Sequence, residues 1–217
     1  MSPNYSYILF EIAALSLTYT KHAPEAFATI ENQLTPTLNG IIAEGMSDYV
    51  GYAFQIYATF IASSSQMKND YDMLCASILD SDSINTNWGR EMKYLVPALS
   101  VFLITYICKY PEQASQKLAS IQQIIVHLLD KEIRCEKEAL QICSAVFERL
   151  GQAPLSDNGT FLNAVLVGIF SSCHFYRNNT RAKIIPAKIM RSIHVFFATF
   201  MVCHGSQALV DSTNGVQ

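Results

Sequence analysis

An all-α solenoid of antiparallel helix pairs is the architecture that the 217 residues predict, and three observations carry it. Apolar residues recur at helical spacing along the whole chain, and no strand-period alternation competes over similar lengths. Similar helix ends return at a regular interval. The composition is half hydrophobic and only 15% charged, with a mean hydropathy of +0.18, as expected of helices covered on two sides rather than one. The same composition excludes a disordered chain, which needs low hydrophobicity and high charge.

The elements follow in order. Ile8, Ile12, Leu15 and Tyr19 form the first stripe. Residues 24–44 carry Phe27, Ile30, Leu34, Leu38 and Ile41, and then Gly45-Met46-Ser47-Asp48 breaks the pattern, with Asp48 placed to cap the next helix. Phe54, Tyr57, Phe60 and Ile61 make that helix, and a shorter one covers 71–79. A polar turn at 80–87 precedes the stripe Leu99, Phe102, Leu103, Tyr106 and Ile107. One helix is expected over 111–129, and another carries Leu140, Cys143, Val146, Phe147 and Leu150. Asp157-Asn158-Gly159 is the clearest break; residues 161–176 are apolar almost all round, and Val195, Phe196, Thr199, Phe200 and Cys203 close the series. Pro36, Pro97 and Pro186 fall inside helical patterns and predict kinks.

Lys21-His22-Ala23-Pro24-Glu25-Ala26 and Lys109-Tyr110-Pro111-Glu112-Gln113-Ala114 are nearly the same element. A base in the last turn of one helix meets the helix dipole, and a proline then opens the next helix, where its missing N–H costs nothing. The two copies lie 88 residues apart, or two units of 44, with a helix end near Ser65 between them. Later ends at Leu150 and His204 fall 41 and 54 residues further on. A helix-pair unit of about 40–47 residues is the HEAT/armadillo period. Residues 1–217 therefore read as one array of about five pairs, weakest near 80–88 and 151–160. Both ends lack a polar cap, so a piece of a longer solenoid is expected.

Uncharged runs at 49–67, 158–176 and 192–210 approach the length of a bilayer span, but each holds several polar groups. Helices buried on two faces account for them without a membrane. Net charge is −3, so no basic field points to nucleic acid. The balance drifts from −6 over residues 1–108 to +3 over 109–217, as suits an extended surface with different partners along it. Six cysteines show no C-x-x-C pair and read as small core residues in a reducing compartment.

The chemistry of catalysis is not found. There is no Gly-rich phosphate loop, no nucleophile elbow and no H-E-x-x-H among the five histidines, so no catalytic residue, cofactor or metal is expected. The alternation of Glu132, Glu136 and Glu138 with Lys131, Arg134 and Lys137 reads as a solvated helix start. The best candidate partner surface is Arg177, Arg181, Lys183, Lys188 and Arg191, which place five of the 15 Lys/Arg in 15 residues and suit an acidic partner. Acidic Asp70, Asp72, Asp80 and Asp82 are the counterpart for a basic one.

Tyr7-Ile8-Leu9-Phe10-Glu11, then Ile30-Glu31-Asn32-Gln33-Leu34, then Asp48-Tyr49-Val50-Gly51-Tyr52-Ala53-Phe54-Gln55 resemble the C-terminal region of the CAS-type exportins, the importin-alpha re-exporters of the karyopherin superfamily. Ile30 stands where the family pattern has Phe, and Gly51 where it has Pro. The resemblance implies a HEAT-repeat receptor that binds importin-alpha with Ran-GTP in the nucleus, shuttles through the envelope, and releases cargo in the cytoplasm when the GTP on Ran is hydrolysed. It implies no enzyme activity; from the charge and the polar groups in the uncharged runs neither a nucleic-acid partner nor membrane insertion is expected, and no homo-oligomer is expected. Ran contacts are expected mainly from N-terminal repeats of a full-length parent. A generic solenoid scaffold that reuses the same packing motifs is the alternative reading.

Overall fold

A computed structural model describes residues 11, 15, 24–80, 82, 86–130, 132–156, 159–179 and 184–214. All regular elements among them are helical: α1 (Pro24–Ala43), α2 (Ser47–Ser63), α3 (Asn69–Leu79), α4 (Val96–Lys109), α5 (Pro111–Gln116), α6 (Leu118–Leu128), α7 (Glu136–Leu150), a short 3-10 turn (Ala153–Leu155), α8 (Thr160–Asn179) and α9 (Ala187–Asn214). The first apolar stripe lies outside the described residues apart from Leu15, which is exposed.

Two rows of helices run through the molecule. One is α2, α4, α7 and α9, each touching the next. Its helices are parallel. Gly51 faces Leu95 and Ala98, Phe54 packs edge-on against Phe102, and Lys109 donates to the Ala62 carbonyl, so contacts advance together along α2 and α4. The partners are offset by 47 residues at Lys109–Ala62, 40 at Lys93–Ile133 and 52 at Gln152–His204. A near-constant register between parallel helices is the mark of stacked repeats. The second row joins α3 to α6 and α6 to α8, with α1 tied to α3 through Glu31 and Tyr71, 40 residues apart. Helices from opposite rows run antiparallel: Tyr57 meets Asn39 while Phe60 meets Phe27, and Arg134 covers the Phe175 ring while Phe147 stacks on Phe161.

The core lies between the rows. Ala53, Phe54, Ile56, Tyr57, Phe60 and Ile61 bury most of the circumference of α2. At roughly 1.5–3 kcal/mol for each fully buried large side chain, such helices are held by packing rather than by intrinsic propensity. The short connections are built for reversal. Gly45 takes φ +61 after α1, its N–H bonds the Ile42 carbonyl, and the Met46 N–H bonds Ile41, closing the helix end with a left-handed residue that glycine adopts without strain.

Several expectations need correction. Asp48 is not the cap of α2: the helix begins at Ser47 after Met46, and Asp48 sits in the first turn, where the dipole favours it. Pro97 opens α4 rather than kinking it, and Pro186 precedes α9; only Pro36 lies inside a helix. The helix expected over 111–129 is broken at Lys117, whose ammonium is drawn 2.9 Å from Asp72 on α3. The last helix continues past His204 to Asn214. Pro24 and Pro111 do open helices, as the repeated element requires.

Candidate interaction surface

The row α2–α4–α7–α9 presents a groove of 640 Å³ across α4, α7 and α9. Val101, Ile104, Leu140 and Val195 contribute apolar lining. Lys137, Lys188 and Arg191 bring three cations to it, against one carboxylate, Glu148. Lys137 lies 3.3 Å from Glu138. Among the described residues, neither Lys188 nor Arg191 has a carboxylate at ion-pair distance, and both are exposed.

The basic cluster expected from sequence is thereby divided. Lys188 and Arg191 stand on the groove in the first two turns of α9. Arg177 is exposed in the last turn of α8 and does not line it. Arg181 and Lys183 lie outside the described residues. Lys137, assigned from sequence to a solvated charge run, is the groove's third cation. That run is itself only partly solvated. Glu136 is 4% exposed and takes a hydrogen bond from the Tyr176 hydroxyl, and Arg134 adopts φ +56 with its guanidinium over Phe175. The Tyr176 hydroxyl is raised above its ordinary value first by burial, then by the Glu136 charge.

The acidic set also separates. Asp72 accepts from the Tyr106 hydroxyl at 2.6 Å and pairs with Lys117, and these contacts, Lys117 first, hold its carboxyl below the usual aspartate range. It is therefore a structural tie between α3, α4 and α6 rather than a bare docking charge. Asp80 and Asp82 are exposed beside one another, with the Asp82 N–H turned to the Asp80 carboxylate.

A polar centre that sequence reading missed sits between α1 and α3. Glu31 is 2% exposed, accepts from the Tyr71 hydroxyl and lies 2.6 Å from the Lys68 ammonium. Tyr71 stacks on Tyr110, whose hydroxyl donates to the Gln66 carbonyl. The only sequence signal was one acidic residue on an otherwise apolar face. Trp88 is likewise structural, fully buried with its indole N–H on the Ile78 carbonyl.

The six cysteines are free thiols. Cys75, Cys135 and Cys143 are buried, and burial raises all three, Cys75 to about 12 and Cys135 to about 11, so none is an activated nucleophile. No group of His, Cys, Asp and Glu among the described residues could hold a metal ion, and none of the described helices is long and apolar enough to cross a membrane.

Two of the described residues that carried the family resemblance, Glu31 and Phe54, are packing residues. Glu31 anchors α1 to α3 and Phe54 packs on Phe102, while a Cβ at Gly51 would lie 3.5 Å from Leu95, an ordinary contact. No curated protein and no solved structure matches the chain. The family model described as the C-terminus of the CAS/CSE protein matches residues 1–217, the entire sequence. On that match over the whole sequence, which the stacked helices suit, the chain belongs to the CAS/CSE family of exportin-type transport receptors.

Proposed function

We propose that this chain is a cargo-binding segment of a nuclear export receptor that returns importin-alpha to the cytoplasm together with Ran-GTP. The family match over residues 1–217 carries the reading. An array of stacked helices supports it physically, because such an array offers a long, polar, shape-matched surface on which charge sets specificity and association rate. In this reading residues 1–217 form one array of about five helix pairs inside a longer receptor, which shuttles between nucleus and cytoplasm. Ran-GTP engages mainly through repeats outside this chain, and its binding is coupled to cargo binding. Such coupling is reciprocal: Ran-GTP strengthens importin-alpha binding by the same factor that importin-alpha strengthens Ran-GTP binding.

The test is a pull-down of importin-alpha by the full-length receptor. Capture is expected with GTP-loaded Ran and not with GDP-loaded Ran. Capture that ignores the nucleotide, or no capture in either state, contradicts the export reading. Nucleotide-independent capture would favour a solenoid scaffold without a transport cycle, a reading to which the packing role of Glu31 and Phe54 is equally suited.

A further inference from the structure

We infer that the groove across α4, α7 and α9 is a docking site for an acidic amphipathic helix of a partner protein. The inference rests on the geometry and charge of the groove and stands apart from the export reading.

The dimensions fit a helix. From Lys137 to Glu148 the groove follows α7 for three turns, about 16 Å at the helical rise. Three helices packed at spacings of about 8–10 Å make it wide enough for one more helix to lie over α7.

The chemistry fits an amphipathic one. Val101 is 49% exposed and Val195 50%, so apolar surface is left open to water on both banks. Val101 stands on α4 and Val195 on α9, and between them α7 lines the groove with the small Ser144 and Ala145 beside the exposed amide of Gln141. Apolar banks over a partly polar floor suit a helix that is apolar on one face and polar on the next.

The charge fits an acidic one. Lys137 and Lys188 are each the second residue of their helices, and Arg191 follows one turn later, so the cations gather at one end of the groove. Glu148 lies at the other end, in the last turn of α7. Because α7 and α9 are parallel, residues distant by about 50 positions come side by side. A partner helix with carboxylates towards its Lys188 end satisfies two cations that have no carboxylate partner among the described residues. The polarity of the groove also sets the direction in which that helix lies.

The experiment uses the full chain and a labelled 16-residue helical peptide with leucines on one face and glutamates towards one end, read by fluorescence anisotropy. A peptide with lysine for glutamate is the control. The acidic peptide is expected to bind, and the lysine peptide at least tenfold more weakly. K188E/R191E is expected to weaken the acidic peptide tenfold or more and to restore the lysine peptide. Both positions are exposed, and an unchanged helical circular-dichroism melt verifies the fold of the variant. Glu148→Gln removes the one opposing charge and is expected to tighten the acidic peptide two- to fivefold, a gain that misfolding cannot mimic. Binding of both peptides alike, absence of binding, or acidic-peptide affinity untouched by the charge reversal and by Glu148→Gln would each overturn the inference.

Discussion

The centre of the array and its last pair are built from the same residue types and end differently. In α2 and α4, Tyr57, Phe60, Phe102 and Tyr106 are fully buried, because α4 lies between α2 and α7 in its row and α2 packs on α4 and, across the rows, on α1. In α8 and α9, Phe170 is 68% exposed, Met201 62% and Val202 81%, although Phe161 and Phe196 on the same helices are buried. The contrast shows what a repeat array requires: each helix carries apolar residues on two faces, and burial is decided by whether a neighbour is present. It also locates the cohesion of the last pair. Phe147 on α7 touches Phe161, Phe196, Phe200 and His204, and so joins α8 and α9 to the rest.

The sharpest way to break this contrast is at Phe147. Phe147→Ala is expected to cost about 3–5 kcal/mol, read by denaturant unfolding, whereas Phe170→Ala stays within about 0.5 kcal/mol. Comparable losses at the two positions would remove the distinction between shared and unpartnered faces.

A smaller effect is expected where the central region holds a charge. Lys68→Met leaves the Glu31 carboxylate buried without its counter-charge and costs about 3 kcal/mol. Adding Glu31→Gln to that variant recovers part of the loss, since the amide still accepts from Tyr71. An additive double variant would show that the pair does not act as a unit.

Two glycines sharpen the comparison further. A Cβ at Gly168 on α8 meets Leu129 at 2.8 Å, so Gly168→Ala is expected to destabilise by about 1–3 kcal/mol. At Gly51 on α2 the nearest atom is 3.5 Å away, and Gly51→Ala gains helix propensity of about 0.5–1 kcal/mol. Thermal melts that move in the same direction for both would contradict the spacing between these helices.

The smallest effect concerns pH. The folded Asp72 carboxyl lies below the ordinary 3.8, chiefly through Lys117 and then Tyr106. Its stabilisation is therefore present above the unfolded value and is lost as pH falls through the folded one. Asp72→Asn is expected to flatten the loss of stability below pH 3.8, measured by denaturation across acid pH. An unchanged acid slope would mean that the Lys117 contact contributes nothing in solution, as half-exposed pairs can.

Much of the fold was legible because a repeat writes its period into the chain. Helix ends at 44- and 41-residue intervals anticipated the structural offsets of 47 and 40, whereas the end expected at His204 is not one, since α9 runs to Asn214. Helix boundaries were less legible where a tertiary contact intervened. Nothing local to residues 111–129 announces the break at Lys117, which reaches Asp72 on another helix. The candidate surface was legible only in part, for the same reason. Lys188 and Arg191 are neighbours in sequence, but Lys137 joins them through the parallel register of α7 and α9, which no local pattern encodes. Glu31 and Lys68 meet because α1 and α3 stack in the second row, in the same way.

The most direct measurement is side-chain footprinting of the full-length receptor, free and in complex with the acidic amphipathic peptide. The account predicts that Val101, Ile104 and Val195 lose accessibility in the complex, while the exposed Met73 on α3 keeps it. A complex in which the groove residues stay as accessible as in the free receptor would contradict it.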